Sequence, residues 1–244
     1  MIRIEDCETP FGPVTIFEAK ATGAITYEQG GCCQSEADRT GVSLAAYIHA
    51  LYYLISQTRA QRVLLIGCGG GTLGTMLARV GRTVTIVDVN PTSFTLARQY
   101  FELARNVVCE VADGKAFLLS AASKFDAIVL DAYHGDRFPS HLQSLRFFEA
   151  VRDHLSPRGA IFANVHVQHD LDGAADRMAD CMSNVWPEVR LLDAEGTLGR
   201  NAIAMAGAVS QLGLPYVQIP PVTDWNDIEK ELASMRYRTV RVPR

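Results

Sequence analysis

Glycines and carboxylates occupy the positions of this sequence that could bind a nucleotide-like ligand. Residues 66–74 read IGCGGGTLG and join an apolar run, RVLL, to a segment of helical character, TMLARV. A glycine-rich turn between a strand and a helix allows the backbone to approach a ligand closely. Gly69, Gly71 and Gly74 fit the pattern G-x-G-x-x-G, and Asp88 ends the next apolar run. This arrangement binds a dinucleotide, and S-adenosyl enzymes use the same geometry for their nucleoside.

Further carboxylates follow the next two apolar runs. Asp113 and Gly114 come directly after the third run, and Asp131 ends the fourth. In an open α/β sheet, ligands bind outside the carboxyl ends of the strands. A carboxylate at Asp113 could accept a hydrogen bond from an adenine amino group. Each acid could also be a helix cap or a turn residue, but acids at three successive strand ends favour an S-adenosyl nucleoside over a dinucleotide.

The elements that must position these residues alternate regularly along the chain. Val- and Ile-rich runs, such as RVLLIG, TVTIVD and FDAIVLDAY, are separated by helical segments, which predicts a mostly parallel sheet covered on both faces. The runs EVRLLDAE and NAIAMAGAV have a short connection, so they predict an antiparallel hairpin at the sheet edge. The predicted fold class is α/β, with the Rossmann-like fold of S-adenosylmethionine-dependent methyltransferases: seven strands, an antiparallel edge hairpin and a small N-terminal β appendage.

The chain divides into three predicted regions. Residues 1–42 form a β-rich appendage with the strands MIRIEDCE, VTIFEAK and AITYEQ, followed by a polar, glycine-bounded loop over residues 31–41. Residues 43–209 form the nucleoside-binding transferase domain, whose first helix begins with Ser43 as its expected N-cap. Residues 210–244 form a C-terminal helix and a basic tail.

Composition excludes several classes of protein. The 244 residues are 48% hydrophobic and 20% charged, with a net charge of -4, which argues against binding to nucleic acid. No apolar run is long enough to span a membrane, and the first residues do not resemble a signal peptide. The six cysteines form no CxxC motif, so they predict reduced thiols in a cytoplasmic protein, with no metal site.

The order and spacing of five segments resemble a known family. RVLLIGCGGGTLG, TIVDVNP, VADGKAFL, FDAIVLDAY and FFEAVRDHLSPRGAIFAN are similar to the spermidine synthase family, the polyamine aminopropyltransferases. The resemblance extends over residues 10–208 and includes the N-terminal appendage, which in this family commonly helps to form a homodimer. It implies that Asp131 is the proton-accepting acid. The cofactor-binding residues that it implies are Gly67, Gly69, Gly71, Asp88, Asp113 and Gly114.

The implied substrate-binding residues are Gln34 and Tyr47, which match a family Gln and Tyr upstream of the glycine motif, and Asp136. Tyr47 could equally be a core residue, because it lies in an apolar helical segment. Asp136 is a displaced second acid in the loop that reads D-S-S-D-P in the family and DAYHGD here. Asp136 and His134, on the same loop, are also secondary candidates for the proton acceptor.

The sequence also departs from the family pattern. Gly70 occupies the position of the family Asp that helps to anchor the aminopropyl amine, and the family's late substrate-binding Tyr falls near Thr197. The leading hypothesis is therefore an enzyme that alkylates a small amine from decarboxylated S-adenosylmethionine or S-adenosylmethionine. A methyltransferase on the same scaffold and a non-catalytic nucleoside-binding protein remain as alternatives. A nicotinamide oxidoreductase is supported by the glycine turn alone.

Overall fold

The computed structural model describes residues 1–223 and 225–241. Its N-terminal part is a four-stranded antiparallel sheet in the order β1-β2-β3-β4. The strands are β1 (Ile2–Cys7), β2 (Val14–Glu18), β3 (Ile25–Gln29) and β4 (Cys32–Ala37). The prediction of a loop over residues 31–41 is wrong in its first half, because β4 pairs with β3 there. Its sequence, CCQSEA, has no β-branched residue and shows no strand signal.

The second sheet contains eight strands. They are β5 (Arg62–Ile66), β6 (Thr83–Asp88), β7 (Val108–Val111), β8 (Phe125–Leu130), β9 (Leu155–Val167), β10 (Val189–Asp193), β11 (Arg200–Gly207) and β12 (Arg236–Arg238). The order is β12-β10-β11-β9-β8-β5-β6-β7, with the five strands from β9 to β7 parallel. The predicted α/β fold and antiparallel hairpin β10–β11 are confirmed. An eighth strand, β12, lies beyond the hairpin and was not predicted.

Seven α-helices connect or cover the strands of the described residues. They are α1 (Ala46–Thr58), α2 (Thr72–Arg79), α3 (Pro91–Tyr100), α4 (Gly114–Ser120), α5 (Leu145–His154), α6 (Ala174–Ser183) and α7 (Asn226–Ser234), with a short 3-10 helix at Ser140–Gln143. The prediction that Ser43 caps α1 is wrong, since Ala45 is the N-cap residue. Ser43 instead accepts a hydrogen bond from the backbone N–H of Ala45 at 3.1 Å. No helix in the described part of the chain is long and apolar enough to cross a membrane.

The buried core lies on both faces of the large sheet. Alternate residues of a strand point to opposite faces, so Val63 and Leu65 of β5 pack in one cluster and Leu64 and Ile66 in the other. A third cluster joins the N-terminal sheet to α3, where Ile16 and Tyr27 pack with Leu96 and Phe101. The N-terminal sheet is thereby held against the end of the large sheet where ligands bind in this kind of fold. The predicted division of the chain at residues 42 and 209 stays a prediction.

Candidate active site

An open cavity of about 460 Å³ lies at the carboxyl ends of β5, β6, β7 and β8. The turn after β1 and strand β4 form its wall on the side of the N-terminal sheet. All of the predicted site residues line this one cavity: Gly67, Gly69, Gly71, Asp88, Asp113, Gly114, Asp131, Gln34, Tyr47 and Asp136. Their juxtaposition follows from the parallel sheet, because the ends of neighbouring strands meet at the same edge.

The glycine turn forms the floor of the cavity. Gly67 has a φ of 104°, and a Cβ there would overlap the carbonyl oxygen of Asp131. Only glycine therefore allows β5 and β8 to end so close together. Gly70 has an ordinary φ, but a Cβ there would lie 2.7 Å from the ring of Phe101, which is fully buried. An aspartate at this position, as in the spermidine synthase family, would require Phe101 to move.

Asp88 is held by the backbone of the loops that surround it. Its carboxylate accepts hydrogen bonds from the N–H groups of Cys68 and Asn90, each at 2.7 Å. Burial raises the pKa of Asp88 even though these hydrogen bonds oppose the change. Two carboxylate oxygens offer about four acceptor positions, so Asp88 retains the capacity to accept hydrogen bonds from a pair of hydroxyl groups.

Asp113 is both a helix cap and a wall of the cavity. One oxygen accepts a hydrogen bond from the backbone N–H of Ala116 at 2.9 Å, so it caps α4. The other oxygen lies 2.6 Å from Nε2 of His141. Burial favours a higher pKa for Asp113, but the hydrogen bonds from Ala116 and His141 outweigh it and lower the pKa. Sequence reasoning did not find His141, because nothing in its local sequence indicates that it meets Asp113.

Asp131 is the most deeply enclosed carboxylate of the cavity. Its Oδ1 accepts a hydrogen bond from Nδ2 of Asn164 at 2.8 Å, and its Oδ2 accepts one from the hydroxyl of Tyr47 at 3.2 Å. Burial raises the pKa of Asp131, and these two hydrogen bonds offset the change only in part. Among the described residues, no arginine, lysine or histidine forms an ion pair with it. Such a carboxylate can bind a cation or accept a proton.

A second layer of amides orients this carboxylate. The side chain of Asn201 on β11 donates a hydrogen bond to Oδ1 of Asn164 on β9 at 2.9 Å. This bond points the amide nitrogen of Asn164 at Asp131. Sequence reasoning missed both asparagines. The available signal was a polar residue inside a largely apolar strand, as Asn164 is in AIFANVHV.

Strand β4 braces the loops of the site. Gln34 donates a hydrogen bond to the carbonyl of Gly135 at 3.0 Å, and the hydroxyl of Ser35 accepts one from the N–H of Gly70 at 2.9 Å. His134 packs against Phe11, with their ring centres 5.5 Å apart. The N-terminal sheet therefore contacts both the glycine turn and the loop that follows Asp131.

Apart from its histidines, the charged side chains that line the cavity are all acidic. Five carboxylates but no lysine or arginine occur among its described lining residues: Glu36, Asp88, Asp113, Asp131 and Asp136. A dinucleotide would place its pyrophosphate in this negative environment without a cationic side chain, whereas a sulfonium or an ammonium group is favoured there. Within the described chain, no group of three or more His, Cys, Asp or Glu side chains could hold a metal ion.

Comparisons with known proteins agree with these observations. Residues 63–159 match the family model described as a methyltransferase domain. Over 139 residues the chain is 29% identical to the probable polyamine aminopropyl transferase of Bifidobacterium longum. The aligned region spans 56% of this chain and 31% of that protein. Over 118 residues it is 30% identical to the polyamine aminopropyltransferase of Vibrio vulnificus. This aligned region spans 46% of this chain and 40% of that protein. The chain thus matches less than half the length of each of these curated relatives.

A solved structure has the same fold. The crystal structure of a probable spermidine synthase from Corynebacterium glutamicum aligns with a TM-score of 0.77 at 19% identity, over 98% of this chain and 90% of that chain. The similarity to polyamine aminopropyltransferases that the sequence segments indicated is confirmed by these relatives and this fold.

Proposed function

We propose that this chain, a divergent relative of the polyamine aminopropyltransferases, transfers an aminopropyl group from decarboxylated S-adenosylmethionine to a small amine. One observation carries the proposal. Asp131 is a half-buried carboxylate that forms no ion pair with a cation among the described residues, and Tyr47 and Asn164 hold it in a cavity lined by acids. It is suited to receive an ammonium group and to remove its proton.

The nucleoside half of the donor would lie between Asp88 and Asp113. Asp88, fixed by two backbone N–H groups, would accept hydrogen bonds from the ribose hydroxyls. Asp113 would accept one from the adenine amino group, and Gly67, Gly69, Gly71 and Gly114 would leave room for the nucleoside. The five carboxylates would stabilise the positive sulfonium, and they would position it for attack.

The transfer step needs a neutral amine. The acceptor enters as an ammonium ion and gives one proton to Asp131, whose raised pKa makes it a stronger base than an ordinary carboxylate. The nitrogen lone pair then forms a bond to the carbon attached to the sulfonium. The carbon–sulfur bond breaks, and its electron pair stays on sulfur. The products are methylthioadenosine and an alkylated ammonium. Gln34, Tyr47 and Asp136 would contact the acceptor.

The charge of the cavity favours a donor without a carboxylate. S-adenosylmethionine carries an amino-acid carboxylate, which would meet acids and no lysine or arginine among the described lining residues. Both donors carry an ammonium group that these acids attract, but the decarboxylated donor presents it without the neighbouring carboxylate that they would repel.

Methyl transfer from S-adenosylmethionine is the second candidate function. The match of residues 63–159 to a methyltransferase domain supports it. Gly70 supports it as well, because the chain lacks the family Asp that anchors the aminopropyl amine, and Phe101 fills the space beside Gly70.

A product assay distinguishes the two functions. The purified protein is incubated with both donors and a panel of amines, and the nucleoside products are identified by mass spectrometry. Methylthioadenosine formed with an amine is the expected result, and S-adenosylhomocysteine in its place would identify a methyltransferase. Neither product, with methylthioadenosine still bound in calorimetry, would identify a nucleoside-binding protein. Assembly as a homodimer and a cytoplasmic location stay predictions.

A further inference from the structure

A second, smaller cavity of about 230 Å³ adjoins the first. It lies between the loop after β8, strand β9 and helix α6. Three residues line both cavities: Tyr133, Asp136 and His166. Of the three, Tyr133 has the largest side chain, and it follows Asp131 by two positions.

Tyr133 extends from the loop to strand β9. Its hydroxyl donates a hydrogen bond to the carbonyl of Asn164 at 3.3 Å and accepts one from the N–H of His166 at 2.8 Å. Its ring packs nearly perpendicular to that of Phe138, with centres 5.2 Å apart. These contacts fix the ring at the boundary between the two cavities.

The charges around Tyr133 come from both sides of this boundary. Burial raises the pKa of Tyr133, and the carboxylates of Asp131 and Asp172 raise it further. Asp131 lines only the larger cavity and Asp172 only the smaller one. Because Tyr133 itself lines both cavities, its ring lies where the two cavities meet.

The smaller cavity has the character of a site for an additional ammonium group. Its wall contains the carboxylates of Asp136 and Asp172 and one arginine, Arg177, which lies 3.7 Å from Asp172. Two acids against one arginine leave a negative balance. Gln143 and Gln168 add polar side chains to the wall.

We propose that Tyr133 sets the upper limit on the length of the amine acceptor. This inference rests on the proposed function. An acceptor whose reacting nitrogen lies at Asp131 meets the ring of Tyr133 beyond it, so a short diamine fits within the larger cavity. Without the ring, the two cavities join, and the distal part of a longer polyamine enters the smaller one. A wall of this kind lowers kcat/KM for the longer acceptor by about 10- to 200-fold for each methylene group that does not fit.

The test compares acceptors of increasing length. kcat/KM is measured with decarboxylated S-adenosylmethionine and 1,3-diaminopropane, putrescine, 1,7-diaminoheptane or spermidine. In Tyr133→Ala the ratio of kcat/KM for the longest to the shortest acceptor is expected to rise at least about tenfold. Tyr133→Phe, which keeps the ring and loses the hydroxyl, should keep the wild-type ratio. Tyr216→Ala, which removes an exposed tyrosine outside both cavities, is the matched control.

The outcomes separate the two proposals. An unchanged length preference in a folded, active Tyr133→Ala variant overturns the role of Tyr133 and leaves aminopropyl transfer intact. A wild-type protein that forms no methylthioadenosine with any of these amines overturns both. If thermal melting shows that Tyr133→Ala is unfolded, Tyr133→Leu takes its place, because it removes the ring and keeps an apolar side chain against Phe138.

Discussion

The proton affinity of Asp131 depends on a few named neighbours. Burial raises its pKa, while the amide of Asn164 and the hydroxyl of Tyr47 donate hydrogen bonds that stabilise the charged form. Asn201 acts one step further away, since it orients Asn164. The pKa of the side chain that accepts the proton therefore depends in part on Asn164 and Asn201, to which the proposal gives no contact with the substrate.

The pH profile of Asn164→Ala tests this relation. Asp131 must be ionised to accept a proton, so activity is lost as the pH falls through its pKa in the folded protein. Removing the hydrogen bond from Asn164 raises that pKa, and the acid limb of kcat/KM is expected to move to higher pH. Asn201→Ala should shift the limb in the same direction by a smaller amount. Asn184→Ala, at an exposed position on α6's C-terminal end, should leave the limb in place. An acid limb that stays fixed or moves to lower pH in Asn164→Ala would count against the role of Asn164.

Three of the carboxylates that the sequence predicts as site residues share one property. Asp88, Asp113 and Asp131 each follow an apolar run, and parallel strands bring such ends together. Asn164 and His141 could not be placed in this way. Asn164 points into the cavity from within a strand, and His141 comes from a short 3-10 helix that carries no local signal.

Strand β4 shows how an element without sequence signal can position a site. It was predicted to be a loop, because CCQSEA lacks the Val, Ile and Thr typical of strands. In the structure its pairing with β3 places Ser35 against the glycine turn and Gln34 against the loop after Asp131. Tertiary contacts, rather than local preference, stabilise this strand.

Ser35→Ala is expected to weaken nucleoside binding. The N–H of Gly70 would lose its acceptor in a buried position, and an unsatisfied buried group costs about 1 to 3 kcal/mol. With about half of this cost expressed on binding, the affinity for methylthioadenosine, measured by calorimetry, should fall about 2- to 10-fold. Ser183→Ala, which removes an exposed hydroxyl on α6, is the control. Equal affinity in Ser35→Ala and wild type would mean that β4 does not support the glycine turn.

Strand β12 is held to the sheet by buried ion pairs. Arg238 donates hydrogen bonds to both oxygens of Asp176, at 2.8 and 2.9 Å, and to Asp193 at 2.9 Å. Asp193 also accepts a bond from Arg200 at 2.6 Å. The sequence indicated only a basic tail here, because the partners of Arg238 lie on α6 and β10, far away along the chain.

Arg238→Ala is expected to lower the free energy of unfolding by about 3 kcal/mol, since it leaves the buried carboxylate of Asp176 without its arginine and removes one of the two arginines of Asp193. Arg236 lies on the same strand but is exposed, so Arg236→Ala should lower the free energy of unfolding much less. Urea unfolding of the two variants provides the comparison. If both variants lose the same stability, the buried pairs do not anchor the strand.

The same ion pairs predict a pH dependence of stability. Burial alone would raise the pKa values of Asp176 and Asp193, but hydrogen bonds and charges from Arg238 and Arg200 lower them. A lowered pKa means that the contribution to stability is present above about pH 4, the range of an unfolded Asp, and is lost as the pH falls through the lower values in the folded state. The difference in free energy of unfolding between wild type and Arg238→Ala should therefore become smaller as the pH falls into this acidic range.

At the scale of the whole molecule, the alternation of strands and helices predicted the fold class but not every strand. It placed the parallel strands, the antiparallel hairpin and the N-terminal appendage correctly, because buried strands must be apolar and their connections must cross the sheet. The eighth strand and the contact of the N-terminal sheet with the site depend on packing between distant parts of the chain. Those contacts leave no periodic pattern in the sequence.

The molecule as a whole concentrates negative charge at one place. Its net charge is only -4, yet five carboxylates line the cavity and no lysine or arginine accompanies them among the described lining residues. A donor and an acceptor that are both cations would be attracted to this end of the sheet. Asp131 is the acid among them whose carboxylate accepts hydrogen bonds from two side chains, those of Asn164 and Tyr47.

The most direct test is a single-turnover measurement on Asp131→Asn. Methylthioadenosine formation is followed with saturating decarboxylated S-adenosylmethionine and putrescine, and donor affinity is measured separately by calorimetry. The rate of the variant should fall by about 10²- to 10⁴-fold, the usual contribution of a general base, while the affinity for the donor stays within a few-fold of wild type. A variant that binds the donor and forms methylthioadenosine at the wild-type rate would contradict the role of Asp131 as proton acceptor.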